Sequence, residues 1–289
     1  MKNFDFIKAR KISYILSLVI IIAGVVSLFV QGLNLGIDFT GGTVMEISFK
    51  QEMDIADLRS NLSEMGNSDA KIVQLANGDY QLKTAFMDQN AQDEFVSALN
   101  EATGNEADVV QANAVGPSVG TEIMQKGIIA LVVAIILMVA YISFRFEWRF
   151  ALAGNLALFH DILVTLAFFS LFQWEVNSSF IAAILTIFGY SINDTIVVFD
   201  RIRENLGRVK REELGLTVDR SIKSVILRSL YTSVSTLIPL IAVCVLGGDT
   251  TRLFVLAMII GITSGTYSSV FVASPLWYDI SMKSSKKRF

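Results

Sequence analysis

Six long apolar stretches constrain this chain more than any other feature: Ile12 to Val30, Gly127 to Phe144, Phe150 to Phe172, Val176 to Phe199, Val225 to Leu246 and Leu253 to Leu276. Each is close to or above the roughly 18–20 residues an α-helix needs to cross a bilayer core. With 53% hydrophobic residues and a mean hydropathy of +0.54, the chain reads as a polytopic α-helical membrane protein rather than a soluble globule. The first stretch follows Lys8, Arg10 and Lys11, is longer than a signal-peptide core, and has no small-residue cleavage site nearby. It is expected to stay as a helix over 12–32, behind a cytoplasmic N-terminus of residues 1–11.

Orientation follows from Lys and Arg, because short loops rich in them stay cytoplasmic. Basic residues collect before the first stretch (Lys2, Lys8, Arg10, Lys11) and between the second and third (Arg145, Arg149). They recur between the fourth and fifth (Arg201, Arg203, Arg208, Lys210, Arg211, Arg220, Lys223) and after the sixth (Lys283, Lys286, Lys287, Arg288). All fall on one side if every stretch crosses. That places both termini in the cytoplasm and residues 33–125 outside, with five helices in 126–280 and a basic tail in 281–289.

The outer segment alternates strand-like and helix-like patterns. The spacing predicts a strand at Thr43 to Phe49, a helix at Ile55 to Met65 capped by Asp54, and strands at Lys71 to Leu75 and Tyr80 to Thr84 around Asn77-Gly78. A helix at Asn90 to Asn100 and a strand at Glu106 to Gln111 follow. The order βαββαβ is that of an α+β, ferredoxin-like unit. Glycines mark its entry, Gly36-Ile37-Asp38-Phe39-Thr40-Gly41-Gly42, and its exit, Val115-Gly116-Pro117-Ser118-Val119-Gly120. No Gly-Lys-Ser or Gly-Lys-Thr follows Gly41-Gly42, so a nucleotide phosphate cradle is not expected there.

Function is expected where charge enters the apolar stretches. Asp194 lies in the fourth, and a carboxylate at membrane depth usually has a partner charge or a water-filled path. Arg228, entering the fifth stretch from the same side, is the matching cation. A polar stripe of Ser221, Ser224, Tyr231, Thr232 and Ser235 is expected to turn Arg228 inward. Small helix movements would then switch Asp194 between loaded and unloaded, which is how an ion gradient drives motion. His160 and Asp161 near the middle of the third stretch are candidates for a relay or for interhelical support, facing different directions as sequence neighbours. Asn193 is expected to hydrogen-bond across helices. Gly261, Gly265, Ser269 and Ala273 repeat every four residues in the sixth stretch, a face that lets a helix of this chain or of a partner come close.

Enzyme readings are weak. An aspartyl dyad needs two carboxylates at one depth, whereas Asp161 and Asp194 are offset and no Gly-x-Gly-Asp surrounds either. A serine hydrolase would have only His160 as base and lacks a Gly-x-Ser-x-Gly elbow. The lone Cys244 reads as a packing residue, and neither metal nor cofactor is expected.

The glycine-flanked segments, Val115-Gly116-Pro117, His160-Asp161 and the run Tyr190-Ser191-Ile192-Asn193-Asp194-Thr195-Ile196-Val197-Val198-Phe199-Asp200-Arg201-Ile202-Arg203-Glu204 together resemble the SecF family of bacterial protein-export subunits. The resemblance covers essentially the whole chain. It implies a half-transporter of the resistance-nodulation-division type that pairs with SecD, associates with the SecYEG translocon and contacts translocating preproteins. It further implies use of the proton-motive force in late translocation across the bacterial cytoplasmic membrane. On that resemblance Asp194 is the proton-linked aspartate and Arg228 its partner. Lipid surrounds the spans, and nucleic acid is not an expected partner. An efflux half-transporter of the same architecture is the alternative; a roomy polar cavity would favour it. A purely structural subunit is the third reading, in which Asp194 could be neutralised without loss of activity.

Overall fold

The computed structural model describes residues 4–284 apart from 76 and 208, so Lys2, Arg208, Lys286, Lys287 and Arg288 lie outside the described residues. Six of its helices are long and apolar enough to cross a membrane: Phe6–Gln31, Pro117–Arg145, Trp148–Leu171, Ser178–Leu206, Arg211–Leu246 and Thr251–Lys283. The chain divides into two compact units, Leu35–Ile128 and the remainder.

The helices outrun the apolar stretches that predict them. Hydropathy marks where a helix is apolar, but backbone hydrogen bonding continues wherever polar ends find partners. The fourth helix passes Phe199 and ends at Leu206, and the fifth is α-helical from Leu214, well before Val225. Arg201 Nε donates to Ser224 Oγ at 2.9 Å, and Arg145 pairs with Asp200 at 3.1 Å. The second helix starts at Pro117, where the missing N–H costs no hydrogen bond. The first helix is capped twice: Asp5 accepts from Lys8 N at 2.9 Å and Asp219 from Ile7 N at 3.1 Å.

In the membrane unit the third, fourth and sixth helices form the centre. Half or more of each of their apolar windows is buried, against 6% and 11% for the second and fifth. Near one end of this unit Phe150 stacks on Trp277 with ring centroids 4.6 Å apart and meets Phe199 edge-on. The sixth helix is α-helical to Ser268, takes a π turn over Ser269–Ala273, and resumes at Ser274. A π turn holds an extra residue, so the four-residue stripe expected from Gly261 to Ala273 keeps its register to Ser269, whose N–H bonds the Gly265 carbonyl, and shifts only before Ala273; all four residues are buried. Gly261 and Gly265 do face another helix of this chain. An added Cβ would lie 2.2 Å from Ile187 Cδ1 at Gly261 and 2.9 Å from Ser191 Cβ at Gly265.

In unit Leu35–Ile128, strands Lys71–Gln74, Tyr80–Thr84, Gly42–Phe49 and Ala107–Val115 lie in that order, every neighbouring pair antiparallel. Helices Ile55–Glu64 and Gln89–Thr103 are capped by Asp54 and Asp88, each accepting a backbone N–H at 2.9 Å. Met45, Ile47, Leu58, Leu82 and Leu99 are fully buried in the core. The last strand runs to Val115 rather than Gln111, because pairing of Gly42 with Val115 holds residues that alone have little strand preference. The entry and exit glycines meet within this unit. Gly41 has φ +71°, and a Cβ there would sit 2.8 Å from Pro117 Cα; one on Gly120 would sit 2.9 Å from Gly41 N. Both segments therefore need to be bare backbone.

Candidate functional site

Asp194 is the seventeenth residue of the 29-residue fourth helix and is 2% exposed. Its neighbours on the fifth helix come from one buried face, Val218, Ile222, Ile226, Ser229 and Ser233, spaced four, four, three and four apart. Ser229 Oγ donates to Asp194 Oδ2 at 2.7 Å, with Ser233 Oγ at 3.4 Å from the same atom. Ser233 also meets Thr266 of the sixth helix, Oγ to Oγ1, at 2.6 Å. Three helices thus converge on one carboxylate through neutral hydroxyls.

The expected pairing with Arg228 is not the arrangement seen. Among the described residues no ion pair joins Arg228 to Asp194, and Arg228 is exposed. Successive helical residues point about 100° apart, so a register that puts Ser229 on Asp194 turns Arg228 off that face. The expected stripe fails for the same reason: Ser221 is buried, but Ser224, Tyr231, Thr232 and Ser235 are exposed. Asn193 is exposed as well, beside a cleft of about 530 Å³ with Leu137, Tyr141 and Gly189, and makes no interhelical hydrogen bond among the described residues. It neighbours Asp194 in sequence and so faces away from the Ser229 contact.

His160 and Asp161 form a second buried polar group, 7% and 0% exposed. They do not diverge: His160 Nδ1 lies 2.9 Å from Asp161 Oδ1 because the imidazole turns back toward its neighbour. Ser264 donates to Oδ1 at 2.7 Å, while Ser191 and Ser268 donate to Oδ2 at 2.5 and 2.7 Å. His160 Nε2 meets Ser17 Oγ of the first helix at 2.9 Å. Tyr267 OH lies 3.4 Å from Ser17 Oγ and donates to the Ser13 carbonyl at 3.0 Å. A cleft of about 440 Å³ along Leu16, His160, Phe168, Ile260 and Tyr267 borders this network, and one of about 310 Å³ borders Ser229, Ser233 and Thr266. The hydroxyls that hold both carboxylates escaped the sequence reading. Buried spacing at 218, 222, 226, 229 and 233 was the available signal for Ser229 and Ser233, and charge drew attention to Arg228 instead.

A family profile described as "Protein export membrane protein SecD/SecF, C-terminal" matches residues 95–283, and one described as "SecD/SecF GG Motif" matches residues 26–53. The chain belongs to the SecF family. It is 41% identical over 282 residues to a protein translocase subunit SecF of Sebaldella termitidis, covering 96% of this chain and 91% of that one. A SecF of Magnetococcus marinus is 42% identical over 282 residues, covering 95% and 91%. The crystal structure of SecDF, a translocon-associated membrane protein from Thermus thermophilus, superposes with TM-score 0.87 at 34% identity. That match covers 98% of this chain but 39% of the SecDF chain. Family membership places this multi-pass membrane protein among transport subunits rather than enzymes. The second profile brackets Gly41-Gly42, where the structure requires bare backbone.

Proposed function

We propose that this chain acts with a SecD subunit in Sec-pathway protein export, coupling proton passage at Asp194 to movement that assists late translocation and release of preproteins. In this reading the basic loops and both termini face the cytoplasm, the membrane is the bacterial cytoplasmic membrane, and unit Leu35–Ile128 is a ferredoxin-like extracytoplasmic domain. The SecYEG translocon and the preprotein are the further partners.

One observation carries the proposal: a carboxylate 2% exposed in an apolar helix is held by hydroxyls and no cation among the described residues. Desolvating a charge without a counter-charge costs several kcal/mol, so such a group calls for a mobile cation. A proton supplies it, and its arrival and departure change what Oδ2 accepts from Ser229. Arg228, one residue along, is close enough in sequence to enter the site if the fifth helix rotates, and is assigned that role during the cycle. The efflux alternative calls for a roomy polar substrate cavity; the three clefts described above are lined mainly by apolar side chains, with no Asp, Glu, Lys or Arg among them.

The test is release of a secreted reporter outside cells carrying Asp194→Asn, after confirming membrane insertion and copurification with SecD. Slow release with intact assembly is expected, and collapsing the proton gradient is expected to slow wild type to the same rate. Normal release from Asp194→Asn would reduce this residue to a structural role.

A further inference from the structure

We propose that Asp161 is the positioning residue for Asp194: clasped by donors from three helices, it holds the third, fourth and sixth helices as one block against which the fifth helix moves. The inference rests on reading Asp194 as the ion-linked carboxylate, and names the part of the bundle that responds to it.

The two buried carboxylates are held in opposite ways. An ionised carboxylate accepts about four hydrogen bonds, two at each oxygen. Asp161 receives four, with His160 and Ser264 on Oδ1, and Ser191 and Ser268 on Oδ2. Ser268 also lies 3.2 Å from the Gly265 carbonyl, a longer contact than its 2.7 Å bond to Asp161. With both oxygens filled and no exposure, Asp161 is a fixed anchor rather than a loading site. Its donors come from the third helix (His160), the fourth (Ser191) and the sixth (Ser264, Ser268). Gly265 brings the sixth helix against Ser191 at this level, and Gly261 brings it against Ile187 one turn away. Polar clasp and close packing therefore reinforce one another between the fourth and sixth helices, with His160 tying in the third, ending at Ser191, three residues before Asp194.

At the level of Asp194 the joint to the fifth helix is made by hydroxyls on one carboxylate oxygen, Oδ2, at 2.7 and 3.4 Å, and Ser233 has the Ser229 carbonyl at 2.9 Å as another acceptor. Away from that level the fifth helix is tied by Tyr190 to Thr236, Arg201 to Ser224 and Asn205 to Ser221. Only 11% of the fifth helix's apolar window is buried, and Pro239 inside it removes a backbone hydrogen bond. A change of charge at Asp194 thus acts first on this hydroxyl joint to the fifth helix. The titratable groups around the two sites are His160 on the third helix, Asp194 on the fourth, Arg228 on the fifth and Tyr267 on the sixth.

The experiment measures reporter release against external pH for the full chain in membranes with its partner subunits. The variants are Asp161→Asn, Ser191→Ala, Asp194→Asn and the double Asp161→Asn, Asp194→Asn. Asn at 161 presents an NH₂ to hydroxyl donors in place of an acceptor oxygen, so it breaks part of the clasp that fixes Ser191, three residues before Asp194. Release by Asp161→Asn is expected to fall about tenfold, with the pH of half-maximal release displaced by about half a unit or more. Ser191→Ala keeps the charge and loosens one arm of the clasp, giving a smaller loss and a smaller displacement. The double variant should be no slower than Asp194→Asn. A wild-type rate and midpoint in Asp161→Asn would overturn the proposal, and so would a slower rate with an unmoved midpoint, which marks a merely structural role. If Asp161→Asn fails to accumulate, a wild-type midpoint in Ser191→Ala overturns it. Normal release from Asp194→Asn would sink the reading of Asp194 itself and is scored separately.

Discussion

Gly24 on the first helix is the position where a single methyl group should do most damage. A Cβ built there would lie 2.1 Å from Ala167 Cβ and 2.6 Å from Ala167 Cα on the third helix. Carbon atoms in contact sit about 3.5–4.0 Å apart, so Gly24→Ala forces the two helices apart by roughly 1.5 Å, since neither atom can rotate away. Among the hydrogen bonds that span the same interface are Ser27 to Ser170 at 2.7 Å and Ser17 to His160 at 2.9 Å. A 1.5 Å displacement takes both beyond bonding range. Overpacking costs about 1–3 kcal/mol, and each interhelical bond lost in a membrane protein about 0.6 kcal/mol. The sum is about 2–4 kcal/mol. At roughly 2–4 °C per kcal/mol for a chain of this size, Tm should fall by about 10 °C.

The control is built into the fourth helix, where a Cβ on Gly189 meets nothing within 4 Å. Gly189→Ala should be neutral or stabilising by up to about 1 kcal/mol through helix propensity. Gly265→Ala, 2.9 Å from Ser191 Cβ and 3.0 Å from its Cα, belongs between the two. Thermal unfolding of the purified full chain in one detergent, followed by intrinsic fluorescence, ranks all three. Equal melting temperatures for Gly24→Ala and Gly189→Ala would refute the claim that the first and third helices touch backbone to backbone.

Gly41→Ala puts a side chain at φ +71° and 2.8 Å from Pro117 Cα; it should cost about 2–3 kcal/mol, read as protease cleavage confined to residues 35–128. Asp5 caps the first helix, and its hydrogen bonds from the Lys8 side chain and backbone hold its carboxyl down at about 2. A depressed carboxyl stabilises the fold above its ordinary value of 3.8 and loses that contribution as pH falls through about 2. Because the Asp5 side chain is 34% exposed, the cap is discounted for solvent to about 1 kcal/mol. Asp5→Ala should lower Tm at pH 7, by an amount that shrinks as pH falls below 3.8 and disappears below about 2.

The elements were legible in the sequence where one physical signal dominated. Six apolar stretches give six helices, and period-two patterning with Asp54 as a cap locates the first strand and helix of unit Leu35–Ile128. What was not legible required knowing which helix face meets which. Hydropathy stops at Phe199, so it cannot see the polar turns to Leu206 that Arg201 and Ser224 sustain. A four-residue stripe presumes unbroken α geometry, which the π turn over Ser269–Ala273 shifts before Ala273. Charge is the loudest polar signal in an apolar chain, and it pointed to Arg228. Serine is quiet by comparison, since it is tolerated at the surface, in lipid and in the core. Yet a hydroxyl can be buried without a counter-ion, whereas a guanidinium cannot, so a carboxylate that must change its load is better held at rest by Ser229 and Ser233. A permanent Arg228 pair would satisfy Asp194 and leave no work for an arriving cation. On the proposed reading of Asp194, the mismatch between expected pair and observed hydroxyls is what leaves it fit to respond, and Asp161, with both oxygens occupied, is the part that holds still.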